Sequence, residues 1–391
     1  MNHDLGRNDG NVQADRPLTI ALVLDTVGNR GNGTSNSALQ WAQELRRQGH
    51  TVRLVGIGAP QYSAKENHVP LVSWIASKQQ MRFAKPDTKL FKRAFDGVDV
   101  VHVYMPFNFS QQAVKVARDM GIPVTAGFHI QPENILYSAG PLRHVPGMTA
   151  FIYRLFWHWL YSKVDAIHVP TQLGAQLLRQ HGYRKPIRVI SNGFDPRFTP
   201  KTQRPGAQGP SVPVEIVASG RLSNEKNQVE LIHAISRCNH APDIHLTIAG
   251  TGPIAKRVKK EADRLLERPA DIGFHANVTM PELLHSSDLI CHPSIADLES
   301  VSVIEAMASG LVPVISDSAA SASGQFALCN ESSYVAGDVE MLAQRIDWWI
   351  DHPEKLNKWG AVYARHTQDH YSVALSVRKF VEMEREVLVA R

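Results

Sequence analysis

Leu289-Ile-Cys-His-Pro-Ser-Ile-Ala-Asp297-Leu-Glu-Ser-Val-Ser-Val-Ile-Glu305-Ala-Met-Ala-Ser-Gly310-Leu-Val-Pro-Val-Ile-Ser316 is the stretch that decides the fold class. Residues 289–294 have the length and apolar content of a buried strand, and 295–300 read as a loop. Val301 to Ser309 form a helix with Gly310 as its C′ residue, and 311–316 form a second apolar strand. Strand, helix, strand is a βαβ unit, which implies a parallel sheet. The helix carries a single carboxylate, Glu305, among apolar neighbours. Its first turn presents N–H groups and partial positive charge beyond the strand's carboxyl end, a setting that favours phosphate. Glu305, one turn deeper, can accept hydrogen bonds from vicinal sugar hydroxyls.

The same alternation runs outward in both directions. Leu18 to Leu24 is a strand, the polar glycine-rich Asp25 to Asn36 a loop, Ser37 to Gln48 a helix and Thr51 to Ile57 the next strand. Strands and helices then follow one another to Ile190, with an aromatic helix around Phe151 to Tyr161. From Pro196 to Pro213 five prolines fall among Lys, Thr, Gln and Gly, which reads as a linker. The pattern restarts with strand Val214 to Ser219 and strand Ile244 to Ala249, and it ends in a long helix, Ser372 to Val389. The division expected is a tail at 1–16, a first Rossmann-like domain at 17–195, a linker at 196–213, a second at 214–371 and a final helix at 372–391.

At 391 residues the chain exceeds one ordinary core. Its 43% hydrophobic and 20% charged content fits a globular protein, and no run approaches the roughly 20 apolar residues of a spanning helix. The polar N-terminus lacks the apolar stretch of a signal peptide, so a cytoplasmic location is expected. Cys238, Cys291 and Cys329 are odd in number and widely spaced, which argues against a disulfide frame or a zinc site; His292 beside Cys291 reads as a strand-end residue. The net charge of +5 points to anionic partners, but no nucleic-acid recognition motif is present. Lys78, Arg82, Lys85, Lys89, Lys92 and Arg93 are interleaved with Met81, Phe83, Leu90 and Phe91, with Trp74 just upstream. That stretch is either a surface for an anionic membrane or a solvated helix face with an ordinary buried side.

Four segments lie where strands of open α/β sheets end and ligands bind. Gly28-Asn-Arg-Gly31-Asn-Gly33 lacks the third glycine of the dinucleotide fingerprint, and no acid ends the second strand, so a nicotinamide cofactor is disfavoured. Gly220-Arg221-Leu-Ser-Asn-Glu-Lys226 puts two cations on one loop, able to neutralise a leaving nucleoside diphosphate without a metal. Gly250-Thr-Gly252-Pro opens a helix after a strand and lets a flat base or phosphate approach. His129, in Gly127-Phe-His-Ile-Gln-Pro-Glu-Asn134, can bond a sugar hydroxyl or orient an acceptor.

With these residues in this order, the chain resembles the retaining glycosyltransferases of family 4, which have the GT-B fold: two Rossmann-like parallel-sheet domains facing a cleft, with a C-terminal helix crossing back to the first. The resemblance spans roughly Leu18 to Leu388. It implies an α/β transferase that moves a hexose from a UDP- or GDP-sugar to a hydroxyl acceptor with retention of configuration, with no cofactor and no metal. By position, Arg221 and Lys226 resemble the diphosphate pair, Glu305 the glutamate that holds the ribose, and Ser300, Val301 and Ser302 the sugar-binding segment and helix start. His129 resembles the histidine near the reacting side of the sugar, Gly31 and Gly33 the glycine loop, and Gly250 and Gly252 further donor contacts, with the base near His275, Asn277 and Val278. The first acid of the pair is Asp297 rather than glutamate. Glu299 stands at a position usually apolar, so the sugar contact is assigned to the two jointly, and Ser300 replaces a glycine.

The resemblance implies front-side displacement, with a diphosphate oxygen taking the acceptor's proton. A nucleotide-sugar epimerase or a non-catalytic sensor on the same fold is the alternative. The acceptor is a lipid, a glycan or a small molecule; the basic stretch and the aromatic helix favour one at the inner membrane surface, although aromatic residues at helical spacing also build cores.

Overall fold

The computed structural model describes residues 16–28, 33–67, 82–138, 140, 144–201 and 213–390. Gly31, Trp74, Lys78, Met81, linker residues 202–212 and all of the N-terminal tail but Arg16 lie outside the described residues.

The first sheet contains β1 (Thr19–Thr26), β2 (Thr51–Ile57), β3 (Tyr62–Ser63), β4 (Val100–Val103), β5 (Val124–Gly127), β6 (Ala166–Val169) and β7 (Ile187–Val189). Its order is β3-β2-β1-β4-β5-β6-β7, parallel throughout. The second contains β8 (Val214–Ser219), β9 (Ile244–Ala249), β10 (Asp271–Gly273), β11 (Leu289–His292), β13 (Val312–Asp317) and β15 (Ser333–Val335), in the order β10-β9-β8-β11-β13-β15. Both sheets therefore reverse direction beside their first strand, which opens a crevice at the carboxyl ends of the strands. Central strands such as β4 and β11 are buried along their whole length, which is why each reads as a short apolar run carrying a single histidine. A separate two-stranded pairing, β12 (Ala296–Asp297) with β14 (Ala320–Ser321), lies within what the sequence presents as loop.

The helix Val301–Ala308 ends as its sequence predicts. Gly310 takes φ +85°, Gly310 N donates to Met307 O and Leu311 N to Ala306 O, the two bonds of a Schellman motif. The C-terminal helix Val373–Val389 leaves the second domain and covers the first sheet. Its Val373, Val377, Phe380, Val381, Met383 and Val387 share one core with Ile20, Leu22 and Trp41. The crossing is tight at Gly193, where φ is +75° and a Cβ would meet Val373 Cα at 2.7 Å. The chain thus changes domain earlier than Pro196: Phe194 and Phe198 already belong to the second domain's core, and Lys201 N donates to Ser309 O.

Two sequence features resolve toward the core. In the helix Met148–Trp159, Tyr153 and Phe156 are buried while Phe151 is 58% exposed. In the helix Thr88–Phe95, capped by Asp87, the apolar residues Leu90, Phe91, Ala94 and Phe95 all face inward. Lys85 before this helix and Lys89, Lys92 and Arg93 on it are exposed, so the helix, among the described residues, presents charge outward and keeps its apolar face inward.

Candidate functional site

Between the carboxyl ends of the two sheets lies a cleft of two adjoining lobes, with volumes of about 240 and 400 Å³. Gly33, Ser37, Gly220, Arg221, Val301 and Ser302 line both, so the lobes meet at the Arg221 loop and the start of the helix bearing Glu305. Gly250, His275, Asn277 and Glu305 open onto the smaller lobe; His129, Lys226, Asp297, Glu299 and Ser300 open onto the larger. Gly252 lines neither. A Cβ there would overlap the carbonyl of Leu222, so its role is close approach of two loops rather than ligand contact. Gly250 likewise abuts Gly220, though it also faces the lobe.

The cation loop is held from below. Ile295 N and Ser294 Oγ both donate to Glu225 O, and Gln228 Nε2 donates to Arg221 O. Asn227 takes φ +51°, a left-handed conformation uncommon for a residue other than glycine, and this turns the chain immediately after Lys226. Arg221 Nη2 donates to Glu225 Oε1 at 2.5 Å, and Ser223 Oγ donates to the same oxygen at 2.6 Å. The guanidinium is thereby fixed by a nearly buried carboxylate while a quarter of it stays exposed to the cleft.

The two acids that the sequence left undivided have different surroundings. Asp297 Oδ2 accepts from Lys226 Nζ at 2.5 Å, Ser300 Oγ at 2.7 Å and His292 Nε2 at 3.1 Å. Burial raises the Asp297 pKa, but the Lys226 charge and the His292 hydrogen bond more than offset it, leaving the group well below the usual carboxylate range. Glu299 instead accepts from Asn192 N at 3.0 Å and from Asn192 Nδ2 at 2.5 Å, across the domain boundary. Burial pushes it up to about 7. Together with Thr171 Oγ1 donating to Leu298 O at 2.9 Å and Gln131 Nε2 to Ala320 O at 3.0 Å, it latches the domains. Asp297 therefore belongs to the cation cluster and Glu299 to the interface.

Ser300 occupies the N-cap without capping, since its hydroxyl donates to Asp297. Val301 N donates to Glu299 O, and Val303 and Ile304 N donate to Ser300 O. Among the described residues, Ser302 N is thus the first-turn donor that no backbone carbonyl takes, fewer than the open turn the sequence implied. Glu305 is pushed up to about 8 by burial and then by Asp195, with Arg197 opposing.

His129 lies at the rim of the larger lobe, stacked on Tyr104 at 5.1 Å, with its Nε2 turned toward the first sheet. Burial, then the nearby His168 and His102 rings, keep it neutral at ordinary pH. Among the described residues, the side chains grouped so as to hold a metal are His102, His129 and His168, on the first-sheet side of the cleft and apart from Arg221 and Lys226. Sequence reading missed Asn192 and Phe274; it placed His292 correctly at a strand end, where β11 closes, but not its bond to Asp297. Phe274 is 61% exposed in the smaller lobe because β10 ends one residue earlier, at Gly273. Its signal was an aromatic residue at a strand's carboxyl end.

A family model described as Glycosyl transferases group 1 matches residues 202–366, and one described as Glycosyltransferase Family 4 matches residues 31–198. The chain is 24% identical over 323 residues to an alpha-monoglucosyldiacylglycerol synthase of Streptococcus pneumoniae, covering 76% of this chain and 70% of that protein. It is 25% identical over 402 residues to a GDP-mannose-dependent alpha-mannosyltransferase of Corynebacterium glutamicum, covering 93% and 91%. In fold it is similar to sucrose-phosphate synthase from Thermosynechococcus elongatus, with TM-score 0.72, 15% identity and coverage of 96% and 100%.

Proposed function

Because this chain belongs to the group 1, family 4 glycosyltransferases, we propose that it moves a hexose from a UDP- or GDP-sugar to a hydroxyl acceptor with retention of anomeric configuration. One observation carries the reading. A single cleft between the sheet ends divides at Arg221 into a lobe bearing Glu305 and a bare aromatic ring, and a lobe bearing Lys226, Asp297 and His129. The nucleoside fits the first lobe, with Phe274 against the base and Glu305 accepting from the ribose hydroxyls. The diphosphate lies at the junction, where Arg221, Lys226 and Ser302 N–H neutralise it without a metal. The hexose enters the second lobe, where Asp297 contacts it through Oδ1, since Oδ2 is committed to Lys226, Ser300 and His292.

Transfer is then a front-side displacement. The anomeric C–O bond to the diphosphate breaks, the acceptor oxygen bonds to the same face, and a diphosphate oxygen receives the acceptor's proton. The rate arises from positioning and charge stabilisation. An acceptor at the inner face of a membrane agrees with the exposed Lys85, Lys89, Lys92, Arg93 and Arg118, and with the relative named as a diacylglycerol glucolipid synthase. No helix among the described residues is long and apolar enough to cross a membrane, so the association proposed is peripheral and cytoplasmic.

The test is a thermal-shift screen of UDP- and GDP-hexoses, followed by proton NMR of the product made with the stabilising donor in the presence of chelator. Stabilisation by none of the donors, or a product of inverted configuration, overturns the reading.

Two variants probe the donor contacts separately. A methyl on Gly33 meets no atom of the described residues within 4 Å, so Gly33→Ala should leave the melting temperature unchanged. It nevertheless weakens donor binding by about 1–3 kcal/mol if the diphosphate passes over that residue. Glu305 accepts ribose hydroxyls best when ionised, so donor affinity by calorimetry rises as pH climbs through about 8 and then levels. Glu305→Gln removes that dependence. The stability of the free protein runs the other way: a folded pKa raised from 4.5 stabilises fully below that value, and the contribution is lost as pH rises through about 8.

A further inference from the structure

Adjacent parallel strands of the first sheet bring three histidines together. His102 stands in β4, His168 in β6 and His129 two residues past the end of β5. One ring nitrogen of each lies within 4.8 Å of the other two. Each ring also has one buried nitrogen with no hydrogen-bond partner: Nε2 of His102, Nε2 of His129 and Nδ1 of His168. A Cβ on Gly127, in the middle strand, would overlap His129 Nε2 and approach His102 Nε2 to 3.3 Å, so those two unpartnered atoms surround one point.

The remaining nitrogens of the two strand histidines fix their tautomers. When Glu384 is a carboxylate, Thr125 Oγ1 donates to its Oε1 at 2.6 Å, and His102 Nδ1, 2.8 Å from that hydroxyl, is then a donor to it. His168 Nε2 lies 2.7 Å from the carbonyl of Ile190, which can only accept. His102 Nε2 and His168 Nδ1 are therefore bare lone pairs in the core, and His129 has at most one N–H to offer between them. A cation satisfies all three rings at once.

We propose that His102 Nε2, His129 Nε2 and His168 Nδ1 hold one divalent d-block ion, zinc by preference, on the first-sheet side of the donor cleft. Three imidazoles suit zinc, with water completing a tetrahedron. Both strand histidines already have the outer partners that metal-bearing imidazoles use: a carboxylate relayed through Thr125, and a backbone carbonyl. Tetrahedral zinc sets its nitrogens ~3.3 Å apart, so the present spacing needs to close by at most ~1.5 Å, within reach of ring rotation. Glu384 is fully buried in the C-terminal helix, with its Oε1 3.5 Å from His102 Nδ1, and stands as the outer carboxyl group beside the ion. The ion would tie that helix to the sheet and hold the His129 ring at the edge of the sugar lobe. This revises the expectation of a chain without metal; the diphosphate is still met by Arg221, Lys226 and Ser302 N–H.

The experiment uses the full chain without an affinity tag, grown with zinc, gel-filtered and measured by plasma mass spectrometry. One zinc per chain is expected. His168→Gln and His102→Gln should lose it, and cobalt-substituted wild type should show tetrahedral d–d absorption that His168→Gln lacks. Thr125→Val and Glu384→Gln, which leave the ligands in place, should lower metal affinity about 10–100-fold in competition with a chromogenic chelator. If the histidine variants do not fold, the wild-type stoichiometry and these two outer variants still decide. A folded wild-type chain that holds no stoichiometric d-block ion, as grown and after added zinc, overturns the site; the rings then share a water or a proton. No readout uses turnover, so the outcome is independent of the transferase reading.

Discussion

Arg221→Ala is expected to lower kcat/KM on the order of a hundredfold or more, the loss that follows removal of a preorganised charge-assisted donor from a developing anion. Arg221 lines both lobes, where the proposed reaction breaks the bond to the leaving group. Its orientation is set beforehand by Glu225 and Ser223, so little reorganisation remains for the transition state. The loop stays docked, because those contacts use the carbonyls of Arg221 and Glu225, but the buried Glu225 carboxylate loses its counter-ion, so stability falls as well and is measured beside the rate. Arg221→Lys should recover only part of the rate, since an ammonium cannot span two phosphate oxygens as a guanidinium does. Steady-state kinetics with a saturating acceptor measures the effect. Turnover within about threefold of wild type would remove Arg221 from the transition state.

The fold was legible wherever a strand is buried on both faces. Strands Val214–Ser219 and Ile244–Ala249 coincide residue for residue with their apolar runs, since a central parallel strand needs apolar side chains on both sides. Tyr62–Ser63, Ala296–Asp297 and Ala320–Ser321 were not legible. Two residues carry no periodicity, and their pairing comes from where the sheet or cleft places them. Of these, Ala296–Asp297 matters most, because its register with Ala320–Ser321 sets the position of the Asp297 carboxylate.

Site residues follow the same division. Arg221, Lys226 and Glu305 could be placed at the cleft from sequence because each sits at a fixed offset from a strand or helix end. Asp297 and Glu299 could not be told apart, since what separates them lies far along the chain: Lys226 is 71 residues from the first, and Asn192 is 107 from the second. His102 and His168 were concealed for a related reason. Each stands alone inside an apolar strand, and only the parallel order β4-β5-β6 brings them together. Gly252 shows the converse, a glycine in a motif whose space is filled by the backbone of Leu222 rather than by a ligand.

Asp297→Asn keeps the side-chain volume and removes only the charge, and it should cost stability as well as rate. Lys226 would keep a largely buried ammonium without its counter-ion, a loss of about 3 kcal/mol. Ser300 and His292 would face a neutral amide oxygen in place of a carboxylate. The pH dependence has a definite sign. A folded pKa below the ordinary 3.8 stabilises above that value, and the contribution is lost as pH falls toward the folded value. The variant should therefore lie closest to wild type in acid and farthest below it near neutrality. Rate should fall further than stability explains if Asp297 contacts the sugar as proposed, because the neutral amide binds both Lys226 and a sugar hydroxyl more weakly than a carboxylate does. Glu299→Gln supplies the contrast: its amide oxygen still accepts from Asn192, and its protonation near pH 7 already approximates the neutral side chain. Denaturant titrations below pH 3, at pH 4 and at pH 7, beside single-turnover rates, separate the two acids: the Asp297 contribution fades only in the lowest range, that of Glu299 between the upper two. Equal and small effects of both substitutions would mean that Asp297 is a second latch residue and that the sugar is held elsewhere.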